Sequence, residues 1–363
     1  MKKKRFVCIF PTGENIHLIK DVGMIPYHLY KTNKFESYIS FYEDENLLPF
    51  LKERIPGVKY HRIKRLFKSD LFNQLIFLLT YFKRYDIVMM FHPSSFKLLI
   101  ALFIKIISFN RVKFYFKMDL SSNTIIPSIG EISFRFRLFS RLCSIMEMVS
   151  VETSNIASQI NRLGGFQVSY IPNGFSKFET THLSKEDIFL TVGRLGTLQK
   201  NTERLLSAFK LANPKNYKLY LIGSVEPEFE NYIRKYFIDN PHLVEKVRFL
   251  GSISDNNELS SYYSMARIFI LPSRWEGFPL VYPEALSHGC FIVGSAFPAT
   301  IDISGNGRFG EICSMDSLED LALIMQRIDE GQILLPASED IQNFAFQNFR
   351  WEDIVNRIAE RFS

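Results

Sequence analysis

ARIFILPSRWEGFPLVYPEALSHGCFIVGS, residues 266–295, decides the reading of this chain. ARIFILPS is rich in β-branched and aromatic residues and reads as a buried strand. VYPEALSHG reads as a short helix, with Pro283 near its start and Gly289 at its end. CFIVGS is a second buried strand. A strand, a helix and a strand in this order make a parallel pair joined by a crossover. Two acids stand within the stretch, Glu276 before the helix and Glu284 one turn into it. A carboxylate in such apolar company needs a partner or a ligand to offset its desolvation.

The same alternation continues on either side. IFLTVGR (188–194), YKLYLIGS (217–224) and VRFLGS (247–252) are further strands, most of them ending in Gly or Ser. The first half repeats the pattern with RFVCIFP, ESYISFY, VKYHRI, DIVMMFH and VKFYFKMD as strands. IHLIKDVGMIPYHLYK, LFNQLIFLLTYFKR and SFKLLIALFIKIIS are helix-compatible stretches between them. Such alternation predicts parallel sheets covered on both faces. The fold class is therefore α/β, with two Rossmann-like domains facing across a cleft. The expected boundaries are 1–172 for the first domain, 173–186 for a linker and 187–345 for the second domain. A C-terminal helix is expected over 346–363. Its stripe of Trp351, Ile354, Val355, Ile358 and Phe362 should dock back on the first domain.

With 363 residues the chain exceeds one ordinary core. Its four cysteines have no metal-type spacing and suggest no disulfide framework, which fits a reducing cytoplasm. The basic start MKKKRFVCIF is too short in apolar residues for a signal peptide, and no run of ~18 uncharged apolar residues exists to span a membrane. Charge is uneven. Residues 1–175 hold 25 Lys and Arg against 13 Asp and Glu, while residues 176–363 hold 19 against 25. No nucleic-acid partner is expected. Residues 51–118 concentrate 14 basic residues against three acids, and FRFRLFSR (134–141) mixes Phe with Arg. Either this is a solvated face or the first domain attaches to an anionic membrane surface from the cytoplasmic side.

Ligands of open α/β sheets bind beyond the carboxyl ends of the strands. There, LTVGRLGTLQKN offers Arg194 and Lys200 after a turn at Gly193. An Arg fork and a Lys point charge suit a diphosphate, though a plain basic loop reads the same way. Glu284 can accept hydroxyl hydrogen bonds from a ribose, or serve only the helix terminus. Glu276, beside Trp275, can reach the hydroxyls of a sugar. In the first half, Asp119 is a strand-end acid or a helix cap for SSNT. Lys117 is a sheet-end lysine or an acceptor contact.

VGRLGTLQKN, LIGS, VRFLGSIS, ILPSRWEGFPLVYPEAL and IPNGF together resemble the C-terminal half of retaining GT-B glycosyltransferases of family four. The Glu276…Glu284 spacing and the Arg194…Lys200 pair are the most specific elements. The resemblance implies a nucleotide-sugar donor and a glycan or lipid-linked acceptor, with no other cofactor. Arg194 and Lys200 would hold the phosphates, Glu276 the sugar and Glu284 the ribose. Backbone amides near Phe278, Leu280 and Val281 would also face the donor, although Pro279 supplies none. Gly13 would let the first strand–helix loop approach the diphosphate. Asp119 stands about where relatives carry an active-site acid or His. No Asp-x-Asp motif is present, and the acid clusters at 43–45 and 317–320 lie in expected surface turns. No metal is therefore expected, and Arg194 and Lys200 would neutralise the leaving group. An epimerase, a phosphorylase or a non-catalytic partner on the same scaffold would be the alternatives.

Overall fold

Alternation along the strands builds the first sheet of the computed structural model, which describes residues 2–120, 133–176 and 183–363. The strands are β1 (Lys4–Ile9), β2 (Phe35–Ser40), β3 (Lys59–Tyr60), β4 (Ile87–Phe91), β5 (Lys113–Met118), β6 (Met148–Val151) and β7 (Ser169–Tyr170). All pair parallel, in the order β3-β2-β1-β4-β5-β6-β7. Successive residues point to opposite faces. Phe6, Cys8, Ile87, Met89 and Tyr115 enter one core, with the helix Asp21–Lys31 over them. Val7, Ile9, Val88, Met90, Phe114 and Phe116 enter the other. That face is covered by the helices Asp70–Tyr81, Ser95–Ile107, Phe134–Cys143 and Ser154–Leu163.

The second sheet holds β8 (Glu186–Val192), β9 (Lys218–Ile222), β10 (Val247–Gly251), β11 (Ala266–Leu271), β12 (Phe291–Ser295) and β13 (Gly310–Cys313). It too is parallel, in the order β10-β9-β8-β11-β12-β13. In each sheet the chain winds outward from the first strand and then returns to its other side. The reversal falls between β1 and β4, and between β8 and β11. Ligand sites of doubly wound sheets form at this point.

The chain divides into two compact units. The first runs to Gly174 and regains the chain at Trp351–Ser363, and the second holds Phe175–Arg350. These crossings differ by a few residues from the expected 172 and 345. The reason lies in the helix Ser338–Phe349, whose Ile341, Ala345 and Phe349 are buried in the second core. The helix Trp351–Phe362 then buries all five stripe residues in the first core. At the crossings the Phe175 N–H donates to the Phe349 carbonyl at 2.9 Å. Expected strand VKYHRI is shorter than read, since only Lys59 and Tyr60 pair in register with β2. Part of the expected linker, residues 177–182, and the SSNT stretch after Asp119 lie outside the described residues.

Candidate functional site

The two loops at the β8/β11 reversal are stitched together by the residues the sequence singles out. After β8 the backbone turns at Gly193, whose N–H donates to the Ile222 carbonyl at 2.9 Å, and Leu195 N–H donates to Ser224 at 2.8 Å. The neighbouring loop must pass very close. Gly223 has φ +140°, and a Cβ there would stand 1.8 Å from the Gly193 carbonyl oxygen, so only glycine fits. The Lys200 stem lies across Gly193. Its ammonium donates to Glu276 Oε1 at 2.8 Å. Ser273 Oγ donates to the same oxygen at 2.7 Å, and Gln199 Nε2 approaches Oε2 at 3.4 Å. Gln199 also binds the Trp275 carbonyl, and the Arg274 N–H donates to the Gln199 carbonyl. Glu276 is buried, while Trp275 beside it is exposed.

The expected phosphate lysine and the expected sugar acid are thus partners of each other in the free protein. Burying such a pair costs the desolvation of both groups, which their mutual contact offsets. Arg194 differs. It is exposed, and among the described residues its side chain makes no hydrogen bond or ion pair.

Glu284 sits in the helix Val281–Ser287, which Gly289 follows at φ +77°. Tyr282 anchors that helix by donating to the Leu271 carbonyl of β11 at 3.2 Å. Tyr263 Oη donates to Glu284 Oε2 at 3.2 Å and stacks on His288. Crowding around the carboxyl pushes it up to about 7, with the Tyr263 hydrogen bond pulling partly back. Phe278 is buried against Phe349, and Leu280 and Val281 are half-buried. No group of three or more His, Cys, Asp or Glu side chains placed for a metal occurs among the described residues.

In the first unit Gly13 is buried, and a Cβ there would meet the Phe41 ring at 2.5 Å. Its glycine is required by packing. Asp119 is exposed just beyond β5, and its charge acts on Glu152. Lys117 is a sheet-end lysine, one residue from the end of β5, but its ammonium is turned inward. It is fully buried, with Asp21 at 2.8 Å, Glu152 at 3.0 Å and Asn173 at 2.7 Å. Asn173 also donates to Glu152. Burial raises the Glu152 carboxyl and Lys117 draws it back. Ser273, Gln199 and Tyr263, which orient the two site acids, escape a reading of the sequence. They are ordinary residues: Ser273 is local to Glu276, Tyr263 meets Glu284 across β11, and only Gln199 is brought in by the adjacency of β8 and β11.

Two parallel α/β units of this kind constitute the GT-B fold. Anabaena HepE, solved in complex with UDP and glucose, superposes with a TM-score of 0.67 at 17% identity over 99% of both chains. The lipopolysaccharide outer core galactosyltransferase WaaB, in its apo form, superposes at 0.71 and 17%, again over 99% of both. At that identity the likeness establishes the fold. Residues 173–347 match the family model of glycosyl transferases group 1, so this part of the chain is a group 1 glycosyltransferase domain. Among curated relatives, an uncharacterized 41.2 kDa protein in the cps region of Klebsiella pneumoniae is 30% identical over 51% of this chain and 48% of its own. The amylovoran biosynthesis glycosyltransferase AmsD of Erwinia amylovora is 31% identical over 35% of this chain and 34% of its own. The chain therefore spans about half the length, or less, of these curated relatives.

Proposed function

We propose that the protein is a retaining glycosyltransferase, metal-independent, that moves a hexose-type sugar from a nucleotide-diphosphate sugar to a glycan or lipid-linked acceptor. Its setting is the assembly of cell-surface polysaccharide on the cytoplasmic side of a membrane. The observation that carries this reading is the Lys200–Glu276 pair at the β8/β11 reversal, inside a group 1 domain. Arg194 and Lys200 take the diphosphate. Glu276, released from Lys200, accepts from sugar hydroxyls, and Glu284 accepts from the ribose. Amides near Phe278, Leu280 and Val281 add donors. Catalysis is positioning plus neutralisation of the departing diphosphate, and no side chain is assigned as nucleophile. The first unit takes the acceptor. The relatives lend support: one is a UDP-Gal:alpha-D-GlcNAc-diphosphoundecaprenol alpha-1,3-galactosyltransferase from Escherichia coli, 23% identical over 54% of each chain.

The test is a thermal-shift screen over UDP, GDP, ADP and their sugars, followed by donor hydrolysis without acceptor. A ligand that binds the native state raises the melting point. A nucleotide-sugar that stabilises the chain and is slowly hydrolysed supports the reading. Stabilisation without turnover makes the chain a binding scaffold, and no stabilisation by any nucleotide overturns the donor site. NMR of the product linkage then checks retention.

A further inference from the structure

We infer that the outer face of the helices Asp70–Tyr81, Ser95–Ile107 and Phe134–Cys143 in the first unit docks on an anionic phospholipid surface. The helix Ser95–Ile107 is apolar on two faces. Leu98, Ala101 and Ile104 face the sheet core, yet Phe96, Leu99, Phe103 and Ile106 form a second stripe on the opposite side. Their spacing puts them on one helical face, and they are 46–64% exposed. A helix with two apolar faces expects a partner on both. The stripe does not stand alone. The ring of Phe72 lies 6.1 Å from Phe67 and 6.4 Å from Phe96, so three exposed aromatic rings touch across two elements. Phe134 on the third helix is 81% exposed, with Leu138 one turn on. After the middle helix, Phe109 is 95% exposed at φ +52°, a backbone region that bulky residues avoid.

Charge chooses the occupant. Asp70 is the only acid on the three helices, against the exposed Arg135, Arg137 and Arg141, whereas Lys105 is buried against Glu147 and Lys97 is half-buried with its ammonium on the Phe91 carbonyl. Lys64, Arg65 and Lys68 are exposed just before the first helix. Arg137 and Arg141 line a cavity of about 260 Å³ with Phe136, Ser140, Gly164 and Gly165, large enough for a phosphate headgroup. Apolar side chains interleaved with cations fit the boundary between headgroups and acyl chains. No helix among the described residues is long and apolar enough to cross a membrane, so the contact is interfacial.

The purpose of such a surface rests on the lipid-linked acceptor proposed above, but the binding does not, and its test contains no sugar nucleotide. The chain is sedimented with vesicles of neutral phosphatidylcholine, with and without anionic phosphatidylglycerol, at low and high salt. The expected result is pelleting on anionic vesicles at low salt, falling by roughly fivefold for each cation removed. The doubly substituted Leu99→Gln, Phe103→Gln chain should bind about tenfold more weakly with an unchanged melting curve. Absence of pelleting at low salt, or equal pelleting on neutral vesicles, overturns the inference. So does gel filtration showing a self-associated chain that the double substitution makes monomeric while vesicle binding is unaffected, since the face would then join copies of this chain.

Discussion

Lys200 and Glu276 neutralise each other across 2.8 Å in the free protein, so a ligand that engages either one competes with or shares the pair. Lys200→Ala should weaken binding of a nucleotide-sugar by about 1.5–3 kcal/mol, the worth of a charge-assisted partner. It also leaves Glu276 buried with only Ser273 and Gln199. The two substitutions should therefore not add. A calorimetric double-mutant cycle with Glu276→Ala should show a coupling of about 0.5–3 kcal/mol, and additivity would sever the pair. Glu284 makes a pH prediction. Its carboxyl is raised to about 7, above the unfolded value. Its contribution to stability is thus present below the ordinary carboxylate range and is lost as pH rises through about 7. Hydroxyl donors from a ribose would instead favour the ionised form. Nucleotide-sugar affinity should rise between about pH 6 and 8, and Glu284→Gln should flatten that rise. The diphosphate diester of the ligand has no proton of its own to exchange there, so titration calorimetry at both pH values is decisive.

At the scale of elements, the helix Trp351–Phe362 was fully legible: five apolar residues at helical spacing are a signal that needs no knowledge of the partner. Trp351 is buried in the first core, and Trp351→Ala should cost about 3–5 kcal/mol in chemical denaturation. An exposed control such as Glu352→Ala should stay within about 0.5 kcal/mol. Most strands were legible for the same local reason; β6, β7 and β13, of two to four residues, are too short to stand out, and the remaining exception is β3. There the run VKYHRI looks like a full strand while only two residues pair, because pairing depends on how far β2 reaches. What could not be read was side-chain partnership across the chain. Glu276 and Lys200 stand 76 positions apart, and Lys117 stands 56 from Asn173. Spacing along a chain says nothing of such meetings. The sequence therefore showed which residues crowd the carboxyl ends of the strands, but not that two of them hold each other.

The whole molecule contains separate cores, one on each face of the first sheet and one around the second sheet, so each unit should report its own perturbations. A nucleotide-sugar that binds the second unit should raise the unfolding temperature of that unit. Lys117→Met acts on the other. It strips the cation from two buried carboxylates, and breaking a buried ion pair costs about 3–5 kcal/mol. Calorimetry of this variant should show the transition of the first unit moved down, with the nucleotide-dependent shift of the second preserved. A single transition displaced as a whole would show that the units melt together. The division has one more consequence, in the order of synthesis. The second unit lies inside the first in the chain, and residues 351–363 leave the ribosome only after every residue of the second has been made. Domains usually fold in the order they emerge. Here the earlier-made sheet must wait, one of its faces only partly covered by the helix Asp21–Lys31, while the later-made one closes first. Phe6, Cys8 and Tyr115 are among the residues left open until then, so a nascent chain stalled before Trp351 should draw chaperones to the first unit.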